Sequence, residues 1–118
     1  MIELVTLNLS DNMIKAVGGL GGLKKLDSLQ LKRNKIGRSG TSDVIELLEC
    51  QSITALDISD NQIEDPDIVE EVLVKLGKVA VLYLQNNGFN KKISHYRKSV
   101  ISRIQSLMFL DDKPIFED

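Results

Sequence analysis

The chain is 118 residues long, 42% hydrophobic and 27% charged, and its fifteen Lys and Arg against seventeen Asp and Glu leave a net charge of -2. This fits one soluble domain. No apolar run nears the ~20 residues that cross a bilayer, no global basic field favours nucleic acid, and a single cysteine and single histidine, Cys50 and His95, build neither a disulfide framework nor a zinc site. The opening Met1-Ile2-Glu3-Leu4 lacks the basic stretch and apolar core of a secretory signal, which leads us to expect a cytoplasmic protein. With 4% aromatic residues and no Trp, a core must be built from Leu, Ile and Val.

From Leu4 the string Leu4-Val5-Thr6-Leu7-Asn8-Leu9-Ser10-Asp11-Asn12-Met13-Ile14 recurs as Leu26-Asp27-Ser28-Leu29-Gln30-Leu31-Lys32-Arg33-Asn34-Lys35-Ile36. A third copy starts at Ile53 (Leu56, Ile58, Asn61, Ile63) and a fourth at Val79 (Leu82, Leu84, Asn87, Phe89), with spacings of 22, 27 and 26 residues. The shared pattern L-x-x-L-x-L-x-x-N-x-I is that of a leucine-rich repeat. Its fourth and sixth positions share one face of a strand, and its first and eleventh turn inward as the chain bends. At the ninth position Asn12, Asn34, Asn61 and Asn87 are expected to be buried, their amides bonding backbone groups of the bend.

Between the strands, Lys15 to Lys25 is rich in Gly and predicts a short turn or 3-10 connection. Asp43 with Glu46 resembles a capping box ahead of Leu47 and Leu48, so a helix is expected there. Asp65-Pro66 offers an N-cap and a first-turn Pro, followed by Ile68, Val69, Val72, Leu73 and Leu76 on one helical face. A last helix after Ser94 carries the stripe Tyr96, Val100 and Ile104, and Leu107 with Leu110 supply half a fifth repeat. The expected architecture is an α/β, right-handed solenoid with a parallel concave sheet and convex helices. Residues 1–92 hold the repeats, starting near 4, 26, 53 and 79, and residues 93–118 form a helical C-terminal cap with the truncated fifth repeat. The first repeat has no such cap, so its apolar side and strand edge would meet solvent, which leaves a homodimer through that edge open.

The repeat register gives the residues on the concave face. The third position supplies Thr6, Ser28, Ala55, Val81 and Phe109, and the fifth Asn8, Gln30, Asp57, Tyr83 and Asp111. Beyond them come Ser10, Lys32, Ser59 and Gln85, then Asp11, Arg33, Asp60 and Asn86. Val81, Tyr83 and Phe109 form the candidate anchor for a protein partner, because exposed aromatics concentrate binding energy. Gln30, Lys32, Arg33, Asp57, Asp60 and Gln85 surround them and would select the partner by charge and hydrogen bonding. An internal charge ladder explains Asp11, Arg33 and Asp60 equally well. Lys91, Lys92, Arg97, Lys98 and Arg103 form a basic stretch that would suit an acidic partner or would simply be solvated. No nucleophile with a paired base, no phosphate loop and no cofactor motif is found, so the chain is read as non-enzymatic and cofactor-free.

The residues at the fourth repeat and cap also resemble a known family. Val81-Leu82-Tyr83-Leu84-Gln85-Asn86-Asn87, then Ile93-Ser94-His95-Tyr96-Arg97-Lys98, then Leu107-Met108-Phe109-Leu110-Asp111-Asp112-Lys113-Pro114-Ile115-Phe116 look like the end of the leucine-rich-repeat domain of the dynein axonemal assembly factor one family. Ile63-Glu64-Asp65-Pro66 fits it too, whereas Gly88-Phe89-Asn90 departs from the Asn-Pro-aliphatic usual in that family. The resemblance implies a cytoplasmic binding factor for dynein arms of cilia or flagella, with dynein chains or assembly chaperones as partners. A dynein light-chain-like adaptor, a phosphatase-regulatory subunit and a spliceosomal repeat protein share the architecture and stay open.

Overall fold

The computed structural model describes residues 4–115, so Met1 to Glu3 and the Phe116 end of the signature lie outside the described residues. Five short strands stack in chain order: β1 (Thr6–Asn8), β2 (Ser28–Gln30), β3 (Ala55–Asp57), β4 (Val81–Tyr83) and β5 (Phe109–Leu110). They pair in parallel, Thr6 beside Ser28, Ser28 beside Ala55, Ala55 beside Val81 and Val81 beside Phe109. A sixth strand, β6 (Lys113–Pro114), turns back antiparallel on β5 and was not foreseen from the sequence. Strands of three residues suffice because each contributes one core leucine: Leu29, Leu56, Leu82 and Leu110 are buried beneath the sheet. Leu31, Ile58 and Leu84 follow one step on, and Ile36, Ile63 and Phe89 at the eleventh position close each turn, all buried.

The convex side is more tightly wound than the capping signals suggested. Where one helix was expected after Asp43, two 3-10 turns occur, Gly40–Asp43 and Ile45–Glu49. Asp43 is no N-cap: its Oδ2 accepts the N–H groups of Gly37 and Ser39 behind it, at 3.1 and 3.0 Å. A 3-10 segment rises about 2.0 Å per residue against about 1.5 Å for an α-helix, so few residues can span the return path. After Asp65-Pro66 the helix is a single turn, α1 (Ile68–Glu71), continued by a 3-10 turn at Leu73–Lys75. Asp65 Oδ1 accepts the Asp67 N–H at 2.9 Å, and Ile68, Val69, Val72, Leu73 and Leu76 are all buried, as their helical spacing required. The Lys15–Lys25 connector contains no helix. The cap helix α2 (Tyr96–Arg103) buries Val100, with Ile104 just after it.

The asparagine column ties one turn to the next. Asn34 Nδ2 donates to Leu31 C=O at 2.9 Å and to Leu9 C=O of the preceding repeat at 3.0 Å. Its Oδ1 accepts the N–H groups of Asn12 and Ile14, at 3.2 and 3.1 Å. Asn61 repeats this arrangement with Ile58 and Leu31 carbonyls and the Ile36 N–H, and Asn87 with Leu84 and Ile58 carbonyls and the Ile63 N–H. These three are buried. Asn12, expected to be buried with them, is exposed, and its side-chain amide donates to the carbonyls of its own turn, Leu9 and Ser10. Among the described residues no turn precedes it to cover it.

Each ladder asparagine follows a left-handed residue: Asp11, Arg33, Asp60 and Asn86 have φ between 55° and 61°. That conformation points the next amide inward, and Asp and Asn adopt it with least strain. Gly37 (φ 111°) is required for a second reason, since a Cβ there would stand 2.5 Å from Ile63 Cα.

The column generates a stability test with its own control. Asn61→Ala leaves the buried Ile36 N–H without its acceptor and takes one of two amide donors from the Leu31 and Ile58 carbonyls, and is expected to cost about 2 kcal/mol or more. Asn12→Ala, at an exposed site, is expected to cost less than about 1 kcal/mol. Urea unfolding of the two variants checks this; equal losses would mean that the column does not hold the turns together.

Candidate functional site

The concave face is the outer surface of the sheet, and strand register fixes what it displays. Val81 and Phe109 are neighbours on β4 and β5, and Ala55 continues the row on β3. Phe109 remains 41% exposed and the adjacent Met108 60% exposed, while Val81 and Tyr83 are half-buried. Beside this apolar row runs a polar one, Gln30, Asp57 and Tyr83, in register across β2, β3 and β4. A shallow depression of about 270 Å³ lies between the rows, lined by Ser28, Leu29, Gln30, Ala55, Leu56, Asp57 and Tyr83.

Two residues of the polar row are held in place. Asp57 Oδ1 accepts the Ser59 N–H at 2.9 Å and the Ser59 hydroxyl at 2.6 Å, so both bonds fall on one of its two carboxylate oxygens. Tyr83 donates its hydroxyl to Asp112 Oδ1 at 3.0 Å. That bond, helped by burial and by the nearby charges of Asp112, Asp57 and Asp111, raises the phenol pKa above its ordinary value and keeps it protonated. Asp112 was missed from the sequence because its position depends on the chain reversal at Asp111 and Asp112, whose φ values are 51° and 73°. The doublet of acids before Lys113-Pro114 was the available signal.

Asp111 does not extend the fifth-position column as the register suggested; its carboxylate turns inward and ends the ladder. In the inner strands the sixth-position N–H donates to a carbonyl on the next strand: Leu9 to Gln30, Leu31 to Asp57, Ile58 to Tyr83. At Leu84 the acceptor is instead Asp111 Oδ1, at 2.7 Å, which also takes the Gln85 N–H at 3.2 Å. Asp111 Oδ2 accepts the Tyr96 hydroxyl at 2.7 Å. Burial, then the Asp111 charge and hydrogen bond, push the Tyr96 phenol far up. Arg97 closes the same knot by donating to the carbonyls of Leu110 (2.8 Å) and Pro114 (3.1 Å). The Tyr-Arg and Leu-Asp-Asp signatures are thus the two halves of one structural clasp. At the departure from the family pattern, Asn87 N–H donates to Asn90 Oδ1 at 2.8 Å and Phe89 is buried, packing edge-on to Tyr96 with ring centroids 6.3 Å apart.

The charged candidates divide. Arg33 grips Asp11 with two guanidinium nitrogens, the second at 3.2 Å from Oδ2. This bond holds the Asp11 carboxyl below its ordinary value of 3.8 and raises Arg33. Asp60, on the next turn, acts on Arg33 only through space. Lys32 and Gln85 stand half-buried beside them, and the Gln85 Oε1 is buried without a partner among the described residues. Ser59, placed on this face by the register, is buried. The basic stretch meets the acidic one of the preceding repeat: Lys92 Nζ is 3.4 Å from Glu64 and Arg103 Nε 3.2 Å from Glu70. Much of that polarity is therefore spent between neighbouring turns. Cys50 is buried with its thiol against Leu23 C=O at 3.5 Å.

Stacked L-x-x-L-x-L-x-x-N turns with a parallel sheet and a clasped end define a leucine-rich-repeat protein, and the leucine-rich repeat family model matches residues 3–117. The chain belongs to that family. Within it, the chain is 39% identical over 75 residues to the leucine-rich repeat-containing protein ODA7 of Chlamydomonas reinhardtii, covering 64% of this chain and 17% of that protein. It is 36% identical over 74 residues to dynein axonemal assembly factor 1 of Homo sapiens, covering 63% of this chain and 10% of that one. The chain thus spans less than a fifth of the length of these relatives. The Drosophila melanogaster SNF/U2A' complex contains a chain that superposes with a TM-score of 0.77 at 24% identity, over 93% of this chain and 60% of that one. This likeness is one of fold.

Two outcomes are expected at this site. Asp111→Ala should cost about 2 kcal/mol by stranding the Leu84 and Gln85 N–H groups, with Asp112→Ala costing clearly less, both read by thermal unfolding. Because Asp11 titrates below 3.8 in the folded chain, the Arg33 pair stabilises the fold above that pH and is lost as pH falls through the depressed value. Arg33→Gln should therefore shift the Asp11 carboxyl inflection upward in an NMR titration; an unmoved inflection would assign the depression to another cause.

Proposed function

We propose that this chain is a non-enzymatic protein-binding scaffold of the cytoplasm that serves the assembly of axonemal dynein arms in cilia or flagella, with dynein chains or their assembly chaperones as partners. Support for the process comes from relatives at 36–39% identity named dynein axonemal assembly factor 1. The observation that carries the binding role is the exposed Phe109 beside Val81 and Tyr83, an aromatic and aliphatic patch on an otherwise polar sheet face. In this reading Val81, Tyr83 and Phe109 anchor the partner, and Gln30, Lys32, Arg33, Asp57, Asp60 and Gln85 select it. No helix among the described residues is long and apolar enough to cross a membrane. The spliceosomal alternative draws only on shared fold.

The β1 edge is a second contact in this proposal. Leu4, Leu7, Leu9 and Ile14 are only partly buried there, and an outward strand edge pairs readily with another copy. Sedimentation velocity across a concentration series should show a reversible dimer; a monomer throughout would remove this contact and leave the concave site untouched.

The main test is a tagged pull-down from ciliated cells, comparing wild type with the Tyr83→Ala, Phe109→Ala double variant by mass spectrometry. Dynein chains and folding chaperones should accompany the wild type and be reduced at least tenfold on the variant, with unfolding unchanged apart from the Asp112 hydrogen bond. Phosphatase or splicing proteins in their place would overturn the assembly reading. Equal recovery on both baits would move the site elsewhere.

A further inference from the structure

Resting on the binding role proposed above, the shape and charge of the concave face restrict the segment that it takes. The apolar row Ala55, Val81, Phe109 runs across the strands, so its side chains are stepped by the interstrand distance, about 4.8 Å. Two steps cover about 9.6 Å. An extended segment laid along the row would present side chains every 6.6–6.8 Å, roughly two residues of strand, and fall out of step at once. An α-helix presents residues i, i+3 and i+7 at about 4.5 and 10.5 Å along its axis, close to the row's own period. The row's far end is widened by Met108, 60% exposed.

Charge is distributed unevenly around this row. From β3 onward the outward positions carry Asp57, Asp60 and Asp112, while Lys and Arg are absent from 55–61, 81–87 and 109–112. The cations at the matching register positions are Lys32 and Arg33 after β2, the latter engaged with Asp11, and Lys113 lies on β6. The depression beside the row is floored by Leu29 and Leu56 and rimmed by Asp57, Gln30, Ser28 and the Tyr83 ring. Tyr83 is tethered through its hydroxyl to Asp112. A carboxylate oxygen, an amide and an aromatic face around a space of about 270 Å³ suit the head of a Lys or Arg side chain.

We propose that the concave face binds a cationic amphipathic helix of a partner protein, its apolar stripe seated on Ala55, Val81 and Phe109 and one Lys or Arg inserted beside Asp57 and Tyr83. The helix lies across the strands, parallel to the stacking direction of the repeats. Helix-in-groove recognition of this kind reads anchors at i, i+3 and i+7.

The probe is a fluorescein-labelled, 18-residue helical peptide of Leu and Lys, compared by anisotropy with the same pattern of Leu and Glu. The wild-type chain should bind the Lys peptide at least tenfold more tightly than the Glu peptide. Asp57→Asn, which keeps the Oδ1 that caps Ser59, should weaken the Lys peptide about fivefold or more, and Phe109→Ser should weaken it as well. The convex-face pair Glu70→Gln, Glu71→Gln removes more charge away from the row and should change nothing. Equal binding of both peptides, equal weakening by the convex pair, or no binding of the Lys peptide would each overturn the inference. None of these outcomes touches the pull-down: partners lost from the Tyr83, Phe109 variant while the Lys peptide fails would keep the protein-binding role and discard the helical cationic ligand.

Discussion

One buried side-chain amide repeated every 26 or 27 residues sets the geometry on which everything else rests. Each buried asparagine donates to two leucine or isoleucine carbonyls, one in its own turn and one in the turn before, and accepts an N–H from that earlier turn. The amide carries both donors and an acceptor at a fixed spacing, which no apolar or charged side chain of its size can match. Satisfying these groups inside a low-dielectric core makes the bend obligatory and identical in each copy. Once the bends coincide, the strands fall into register, and register alone decides that Val81 meets Phe109 and Asp57 meets Tyr83.

The two ends of the stack solve the same problem differently. At the C-terminal end the sheet would present an unpaired Leu84 N–H, and Asp111 supplies a carboxylate oxygen where a strand carbonyl would have been. Tyr96 and Arg97 then hold Asp111 and the returning β6 in place. At the other end the Asn12 side chain donates to carbonyls of its own turn, and among the described residues no earlier turn meets it. The charge pairs between successive turns, Arg33 with Asp11, Lys92 with Glu64 and Arg103 with Glu70, lie at the surface and contribute little to stability beside the amide column.

The repeat, its register and the buried leucines were legible because they depend on local periodicity that recurs four times. Strand neighbours on the concave face followed directly from that register, down to the Val81 and Phe109 contact. What the sequence concealed lies where periodicity stops. Asn12 matches its three sister residues letter for letter, yet it is exposed, because burial depends on a neighbour rather than on its own turn. Asp43 and Glu46 carry the spacing of a capping box, but the short return path converts the segment to 3-10 turns and turns Asp43 back to Gly37 and Ser39. Asp111 and Asp112 sit past the last full copy, and their left-handed backbone swings them to roles that no column could assign. Of the candidate site, the placement of Val81, Tyr83 and Phe109 on one sheet face was readable, while the pinning of Tyr83 by Asp112 required the folded chain.

The clasp at Asp111 also gives the molecule a direction. Among the described residues, the last parallel strand ends in a carboxylate and is covered by the returning β6, whereas the outward side of β1 has no strand beside it. Tandem duplication of a turn within the array, or ahead of it, would keep every amide partner and preserve the terminus. Duplication beyond Asp111 would have to dismantle Tyr96, Arg97 and the reversed strand together. Lineages that lengthen or shorten this domain are therefore expected to vary in the number of early turns and to keep the final one, along with the aromatic row it displays.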